Sequence, residues 1–287
     1  MLKRAAVGIV VLMLLAVIGF IAWVGDVLSR PALVAIGPAP PDLNATNISL
    51  KTEDGASVAG WLIPGEPGKA AVLLLHGVGA NRTQLVDRAR YLRGMGYTVL
   101  LIDMPAHGES PAPHITFGAR EARGVTAALA YLRARDPQQK IGVIGMSMGA
   151  AALVLSKPET TRLEAVVLES MYPTIEEALA DRIALDHGAW AQSLAPLLLW
   201  QLPLRTGVYP SELHPIDAIR LLHVPLMIAA GSIDRHTTLP ETRRIFAAAN
   251  APKELWIVEG AAHVDLFRFD RAGYEAHVGT FLADHLR

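Results

Sequence analysis

The sequence predicts an α/β protein built on a mostly parallel central sheet flanked by helices, and three observations predict it. From Ala70 onward short apolar runs alternate with amphipathic stretches, the pattern of strands buried on both faces and joined by crossover helices. A Gly-X-Ser-X-Gly pentapeptide stands between one such run and a small-residue helix. The chain has 287 residues, 52% of them hydrophobic, which suits one large domain with a buried sheet and leaves two domains cramped.

The N-terminal segment comes first. Residues 5–24 are an uncharged apolar run of 20 residues, about the 30 Å needed to cross a hydrocarbon core as a helix. Lys3 and Arg4 precede it, which by the positive-inside rule places the N-terminus in the cytoplasm and everything after Asp26 on the far side. Trp23 suits the outer interface. The alternative is a cleaved signal peptide and a secreted protein. Such a peptide has an apolar region of about 7 to 15 residues ending in a small-x-small site, and this run meets neither condition clearly. Residues 1–29 are therefore expected to be a transmembrane anchor, making a single-pass membrane protein with its folded domain outside the cytoplasm. Residues 30–46, with Pro31, Pro38, Pro40 and Pro41, read as an extended proline-rich linker, and 47–287 as the domain.

The domain opens with strands over 47–51 and 57–63, separated by the turn signal Glu53-Asp54-Gly55, which predicts an antiparallel hairpin. Further strands are predicted over 70–75, 98–102, 141–144, 165–168, 225–229 and 254–258. Between the first two of these, Asn81 with Gln84 three residues on resembles a capping box, and Gly94 suits the helix end. Helices are also expected over 116–135, from Gly149 to Leu155, and over 274–286. About 55 residues separate the strands ending near Leu168 and starting at Pro225, far more than an ordinary crossover. This insertion, about 171–222, carries Trp190, Leu194, Trp200, Leu202 and Tyr209 among prolines. It reads as a small helical cap over the C-terminal edge of the sheet, where ligands bind in open α/β sheets. Extra core and a second membrane contact are the alternatives.

The charge balance excludes some functions. A net charge of −1 gives no electrostatic reason to expect a nucleic-acid partner. With no cysteine, disulfides, thiolate metal sites and a cysteine nucleophile are ruled out.

The chemistry is read from Gly145-Met146-Ser147-Met148-Gly149. A sharp strand-to-helix turn exposes the serine oxygen in strained backbone geometry, and the flanking glycines spare their neighbours a collision. With 24 glycines in the chain, this pentapeptide is expected by chance only about 0.07 times. A serine hydroxyl needs a base within hydrogen-bond reach and a third group to orient that base. Of ten histidines, His263, His277 and His285 follow the last strand, and only His263 lies in the loop directly after it. Asp234 follows the strand 225–229, 29 positions before His263. Glu169 is a rival acid, at the end of the preceding strand, whereas Asp265 is too near His263 in sequence. A tetrahedral intermediate needs two N–H donors, one on the residue after the nucleophile and one in the loop His76-Gly77-Val78-Gly79. Met148 and Val78 are the candidates. His76, Asp103 and His107 read as scaffold. His187, His214, His223 and His236 form no obvious ligand set, so no metal and no cofactor is expected.

Leu74-Leu75-His76-Gly77, residues 103–110 and 145–149, Asp234 and His263 occur in the order of the α/β-hydrolase superfamily, which the chain resembles over about residues 47–287. The Asp54-Gly55 hairpin with Gly60-Trp61, and Asn81-Arg82, are similar to its membrane-tethered esterase and serine-peptidase-like branches. The chain departs from the pattern at Pro105-Ala106, where arginine-glycine is frequent, which bears on loop shape alone. The resemblance implies an α/β-hydrolase fold and acyl transfer to water without a cofactor. The expected activity is a serine hydrolase cleaving the ester or thioester of a small or lipid-like acyl substrate. A peptidase of the same fold and a non-catalytic lipid-binding module are the alternatives.

Overall fold

Eight strands make one sheet in the computed structural model, which describes residues 2–157 and 162–287. They are β1 (Thr46–Lys51), β2 (Ser57–Ile63), β3 (Ala71–Leu75), β4 (Thr98–Ile102), β5 (Ile141–Met146), β6 (Ala165–Glu169), β7 (Leu226–Gly231) and β8 (Lys253–Val258). Their order across the sheet is β1-β2-β4-β3-β5-β6-β7-β8. The hairpin β1–β2 is antiparallel and joins β4 antiparallel, while β3 to β8 run parallel. Every residue of β3, β4, β5 and β6 is buried, as a strand covered on both faces requires.

Alternation along these strands feeds two cores. Leu73, Leu75, Val143 and Leu168 point to one face and meet Val125, Leu129 and Leu153. Val72, Leu74, Ile144 and Val167 point to the other and meet Ala89, Leu92, Tyr274 and Phe281. Each such leucine or valine contributes about 1.5–3 kcal/mol of transfer free energy, so the centre of the sheet is a rigid platform for whatever its strand ends carry.

The helices are α1 (Leu2–Ser29), α2 (Val86–Gly94), α3 (Glu121–Arg135), α4 (Met148–Leu155), α5 (Ile175–His187), α6 (Ala195–Leu199), α7 (Leu202–Thr206), α8 (Pro215–Ala218), α9 (Leu239–Ala248), α10 (Leu266–Phe269), α11 (Arg271–Tyr274) and α12 (Thr280–His285). The helix expected from Thr116 starts only at Glu121. Phe117 and Gly118 have φ of 56° and 129°, and the Glu121 carboxylate accepts from the Thr116 and Gly118 N–H groups at 2.8 Å each, which fixes a turn there instead. The last helix is likewise interrupted, by a wide turn over Glu275–Gly279.

Residues 30–40 are mostly extended and Pro41–Leu43 make a short 3-10 turn, and the segment runs along the domain. Ala32 and Leu33 pair with His107 and Gly108, the Ile36 N–H donates to Glu109 at 3.0 Å, and Leu43 is buried. The insertion after β6 is helical through α5, α6, α7 and α8, packed on one side by Ile175, Leu199, Leu202, Val208 and Leu213. The apolar helix α1 contains a stretch, Ala6–Ser29, long and apolar enough to cross a membrane.

Candidate active site

Parallel strands all end on the same edge, so the loops after β3, β5, β7 and β8 converge there. β5 outlasts its apolar run because Gly145 and Met146 still pair with Leu168 and Glu169. Ser147 follows at φ 51°, ψ −116°, a region L-residues avoid, and α4 begins at Met148. Holding a non-glycine residue there costs about 1–3 kcal/mol. The surrounding contacts enforce it. The Ser147 N–H donates to the Glu169 carbonyl at 2.7 Å. A Cβ on Gly145 would stand 2.7 Å from the Ala150 backbone, and one on Gly149 would stand 2.6 Å from the Leu75 and His76 carbonyls. The turn is thus too tight for any other residue at either glycine.

The loops after β7 and β8 are stitched together in the same way. Ser232 N–H donates to the Val258 carbonyl at 2.9 Å and Ile233 N–H to the Ala261 carbonyl at 3.0 Å. A Cβ on Gly231 would meet that Ala261 oxygen at 2.1 Å. This contact brings Asp234 beside His263: Asp234 Oδ2 lies 2.8 Å from His263 Nδ1, and His263 Nε2 lies 3.2 Å from Ser147 Oγ. Asp234 also accepts from the N–H groups of His236 and Thr237 at 2.8 and 3.0 Å and from the Thr237 hydroxyl at 2.9 Å. Burial alone would raise its pKa, but these donors and His263 outweigh burial and hold the carboxyl below its ordinary value. With Nδ1–H given to Asp234, Nε2 is the nitrogen left to take a proton from Ser147.

The structure therefore brings together Ser147, Asp234 and His263. Among the described residues, neither the Val78 nor the Met148 N–H has a partner within the chain, and Met148 N–H is the first of α4. Gln84 does not complete a capping box. Asn81 accepts from Thr83 N–H at 3.0 Å, while Gln84 Oε1 accepts from Gly77 N–H at 3.1 Å and braces the loop that carries Val78.

The rival carboxylates are committed elsewhere. Glu169 accepts from Arg88 at 3.0 Å and from the Tyr274 hydroxyl at 2.7 Å, and Asp265 binds the same Arg88 at 2.7 Å while capping α10. His76 is wholly buried, and burial, with His107 adding to it, pushes its pKa down to about 3. It accepts from Met104 N–H at 3.0 Å and is a neutral brace. Asp103 accepts from the backbone N–H groups of Arg82 and Glu109 at 2.8 and 2.9 Å and pairs with the Arg82 guanidinium.

Two neighbours of the site have no motif of their own. Thr237 was legible only as part of an Asp-x-x-Thr turn. The ring of His236 lies 5.0 Å from that of His263, and burial, followed by the nearby His263, holds its pKa below the usual range.

The large residues of the cap do not all pack over the sheet edge. Trp190 and Trp200 are 72% and 74% exposed. A groove of about 880 Å³ between α5 and the α6–α7 corner is lined by Ala180, Pro196, Leu199, Trp200, Leu204 and Tyr209 among others, and Ser147, Asp234 and His263 are not in its wall. The cap helix α5 is tied to α9 by the Glu177–Arg244 ion pair.

Comparison with known proteins places these observations. Residues 72–275 match the model of a family described as the alpha/beta hydrolase family. An uncharacterized protein of Mycobacterium tuberculosis, Rv2307c, is 30% identical over 244 residues, covering 82% of this chain and 76% of its own. The uncharacterized protein YqkD of Bacillus subtilis is 22% identical over 243 residues, covering 84% and 80%. Among solved structures, the esterase Pf2001 of Pyrococcus furiosus superposes with a TM-score of 0.75 at 24% identity, over 91% of this chain and 99% of that one. An esterase of Exiguobacterium antarcticum superposes at 0.61 with 16% identity, over 83% and 100%.

Proposed function

The chain belongs to the alpha/beta hydrolase family, and from that premise we propose that it is a serine hydrolase cleaving a carboxylic ester or thioester of a small or lipid-like acyl substrate. The observation that carries this reading is the continuous hydrogen-bonded line from Ser147 Oγ through His263 to Asp234, ending on a serine held at positive φ. A module that only bound lipid would have no use for a backbone strained by about 1–3 kcal/mol at one hydroxyl.

The steps follow from the placement of the groups. His263 Nε2 removes the Ser147 proton as Oγ attacks the acyl carbon, and the tetrahedral oxyanion forms against the Val78 and Met148 N–H groups. His263 then returns the proton to the leaving alcohol or thiol, giving the acyl-enzyme. Water, deprotonated by the same nitrogen, attacks the acyl carbon, and the imidazolium returns that proton to Ser147 Oγ as the bond to the enzyme breaks and the acid leaves. Asp234 fixes the imidazole tautomer and stabilises the imidazolium formed in both halves. Its own carboxyl remains ionised because three donors besides His263 point at it. The residues used are those of this chain alone.

We further read α1 as the anchor of a single-pass membrane protein with this domain outside the cytoplasm, on the strength of the apolar run 5–24 and Lys3-Arg4 before it. Protease added to spheroplasts of an expressing bacterial host should remove the domain, and protection until lysis would reverse the orientation.

A fluorophosphonate probe tests the chemistry directly. It should label the full chain once, on Ser147, and leave Ser147→Ala unlabelled. Labelling elsewhere, or none, would overturn the assignment. Rates on p-nitrophenyl esters, acyl thioesters and aminoacyl amides then rank the substrate classes, with esters and thioesters expected ahead of amides.

A further inference from the structure

The apolar run 5–24 would span about 30 Å as a helix, yet much less than that stands free of the domain. Residues 6–20 are exposed along their whole length, whereas Gly25 and Ser29 are buried, and 15 residues of helix measure about 22 Å. The last four residues of the run, 21–24, about 6 Å of helix, fall where α1 is gripped by the cap. Gln201 Nε2 donates to the Ile21 carbonyl at 2.9 Å, and the Arg205 guanidinium donates to the Ala22 carbonyl. A Cβ on Gly25 would stand 2.3 Å from the Gln201 side chain, so the two elements are in close contact. A bilayer that covers the whole apolar run must therefore also reach the α6–α7 corner.

That corner is built for such a position. Leu197, Trp200 and Leu204, spaced three and four residues apart, form a stripe beside the Gln201 and Arg205 pair that holds α1. They are 50%, 74% and 75% exposed, which soluble surfaces seldom allow in one patch. Arg205 keeps its charge near Asp26, with Nη1 3.7 Å from Oδ1, as a basic side chain does when it reaches back to the interface. Exposed Tyr209, which shares a groove wall with Trp200 and Leu204, adds one of the aromatic types that favour the headgroup region.

We propose that the α6–α7 corner of the cap is an interfacial membrane contact, with Leu197, Trp200 and Leu204 inserted at the headgroup–acyl boundary of the same leaflet from which α1 emerges. The depth required, about 6 Å, matches the 5–10 Å to which interfacial helices bury their apolar face. The inference rests on α1 being the membrane anchor. It gives the domain a fixed orientation over the lipid, held at two points and not on a swinging tether.

The chain has no cysteine, so single labels report cleanly. Environment-sensitive fluorophores are attached to Ile18→Cys, Trp200→Cys, Leu204→Cys and Gln138→Cys of the full chain, reconstituted in phosphatidylcholine vesicles whose lipid carries a quencher near the top of the acyl chain. Gln138, exposed before β5, lies at the opposite edge of the sheet. Labels at 18, 200 and 204 should lose about half their emission or more, and the label at 138 none. Quenching at 18 with none at 200 and 204 overturns the cap contact and leaves the anchor standing. No quenching at 18 overturns the anchor and this inference with it. If the emission at 200 and 204 changes with protein density in the vesicle and not with the quencher, the patch is covered by a second copy and the lipid contact is wrong.

Discussion

The joined loops after β7 and β8 and the cluster at the end of β6 both hold a carboxylate away from water, and they differ in the cation each is given. Asp234 faces His263, an imidazole still partly open to solvent, with Ser147 beyond it. Glu169 faces Arg88, a guanidinium as buried as itself, with Tyr274 and Asp265 closing the cluster. An imidazole can take up and give back a proton near neutral pH, while a guanidinium cannot. Equal burial therefore yields in one region the hydrogen-bonded line proposed to carry proton transfer and in the other a structural clamp. The difference also appears in the carboxyls themselves. Asp234 stays below its ordinary value because its donors outweigh burial, whereas burial of Glu169 outweighs Arg88 and raises it.

The sharpest way to break this comparison is to disable one region and then the other. Ser147→Ala and Asp234→Asn should each lower kcat on the best ester by on the order of 10⁴-fold, with Tm within a few degrees of wild type. Activity above about one tenth of wild type in either variant would remove the assignment. Glu169→Gln should do the reverse. Losing one carboxylate from a buried arginine that keeps Asp265 should reduce the unfolding free energy by about 2–3 kcal/mol, while kcat/KM of the folded enzyme stays within about threefold. A large loss of kcat with stability unchanged would instead place the acid on β6.

The two regions were unequally legible in the sequence. Gly145 to Gly149 is a local motif whose steric requirements lie within five residues, and Asp234 and His263 were found because parallel strands deliver their following loops to one edge. The clamp had no such signature. Arg88 meets Glu169 across 81 positions and Asp265 across 177, contacts that only the packing of α2 and the C-terminal helices on the sheet creates. Gln84 carried a capping pattern and braces Gly77 instead, because the loop after β3 offered its side chain an unpaired N–H. The apolar residues of the insertion suggested a cap packed over the sheet edge, yet Trp190 and Trp200 stand exposed, because the rule that large apolar residues are buried runs one way.

Removing a single donor from Asp234 tests the comparison more finely. Thr237→Val keeps the shape and deletes the 2.9 Å hydroxyl bond to Oδ2, so stability should fall by about 1.5 kcal/mol and kcat/KM by several-fold. The Asp234 pKa should rise toward its ordinary value. Wild-type stability from this carboxyl is present at neutral pH and lost only as pH drops below about 3.8, and Thr237→Val should move that acid loss to higher pH. An unchanged acid limb would show that the two backbone N–H donors already suffice.

A third carboxylate beside the site has, among the described residues, no cation facing it. Asp181, on α5, faces Glu241 of α9, and among the described residues its Oδ2 has no hydrogen-bond partner. Burial first, then Glu241, with Glu177 and Asp234 adding to it, push its pKa up to about 7. A carboxyl whose folded value exceeds its unfolded one binds its proton more tightly in the native state, so its stabilising contribution is complete below about pH 4 and is lost as pH rises through about 7. Above that the native chain carries uncompensated negative charge between cap and core. Asp181→Asn removes that charge and leaves an amide able to donate to Glu241. Because the group is partly exposed, solvent screening reduces the effect, and the variant should be more stable than wild type by about 1 kcal/mol near pH 8. The two should converge near pH 4.5, where the wild-type proton is already in place. Urea unfolding of the full chain in detergent at both pH values measures this. An equal difference at the two would mean that Asp181 does not titrate in this range and that its neighbours tolerate its charge as readily as Asp234 tolerates its own.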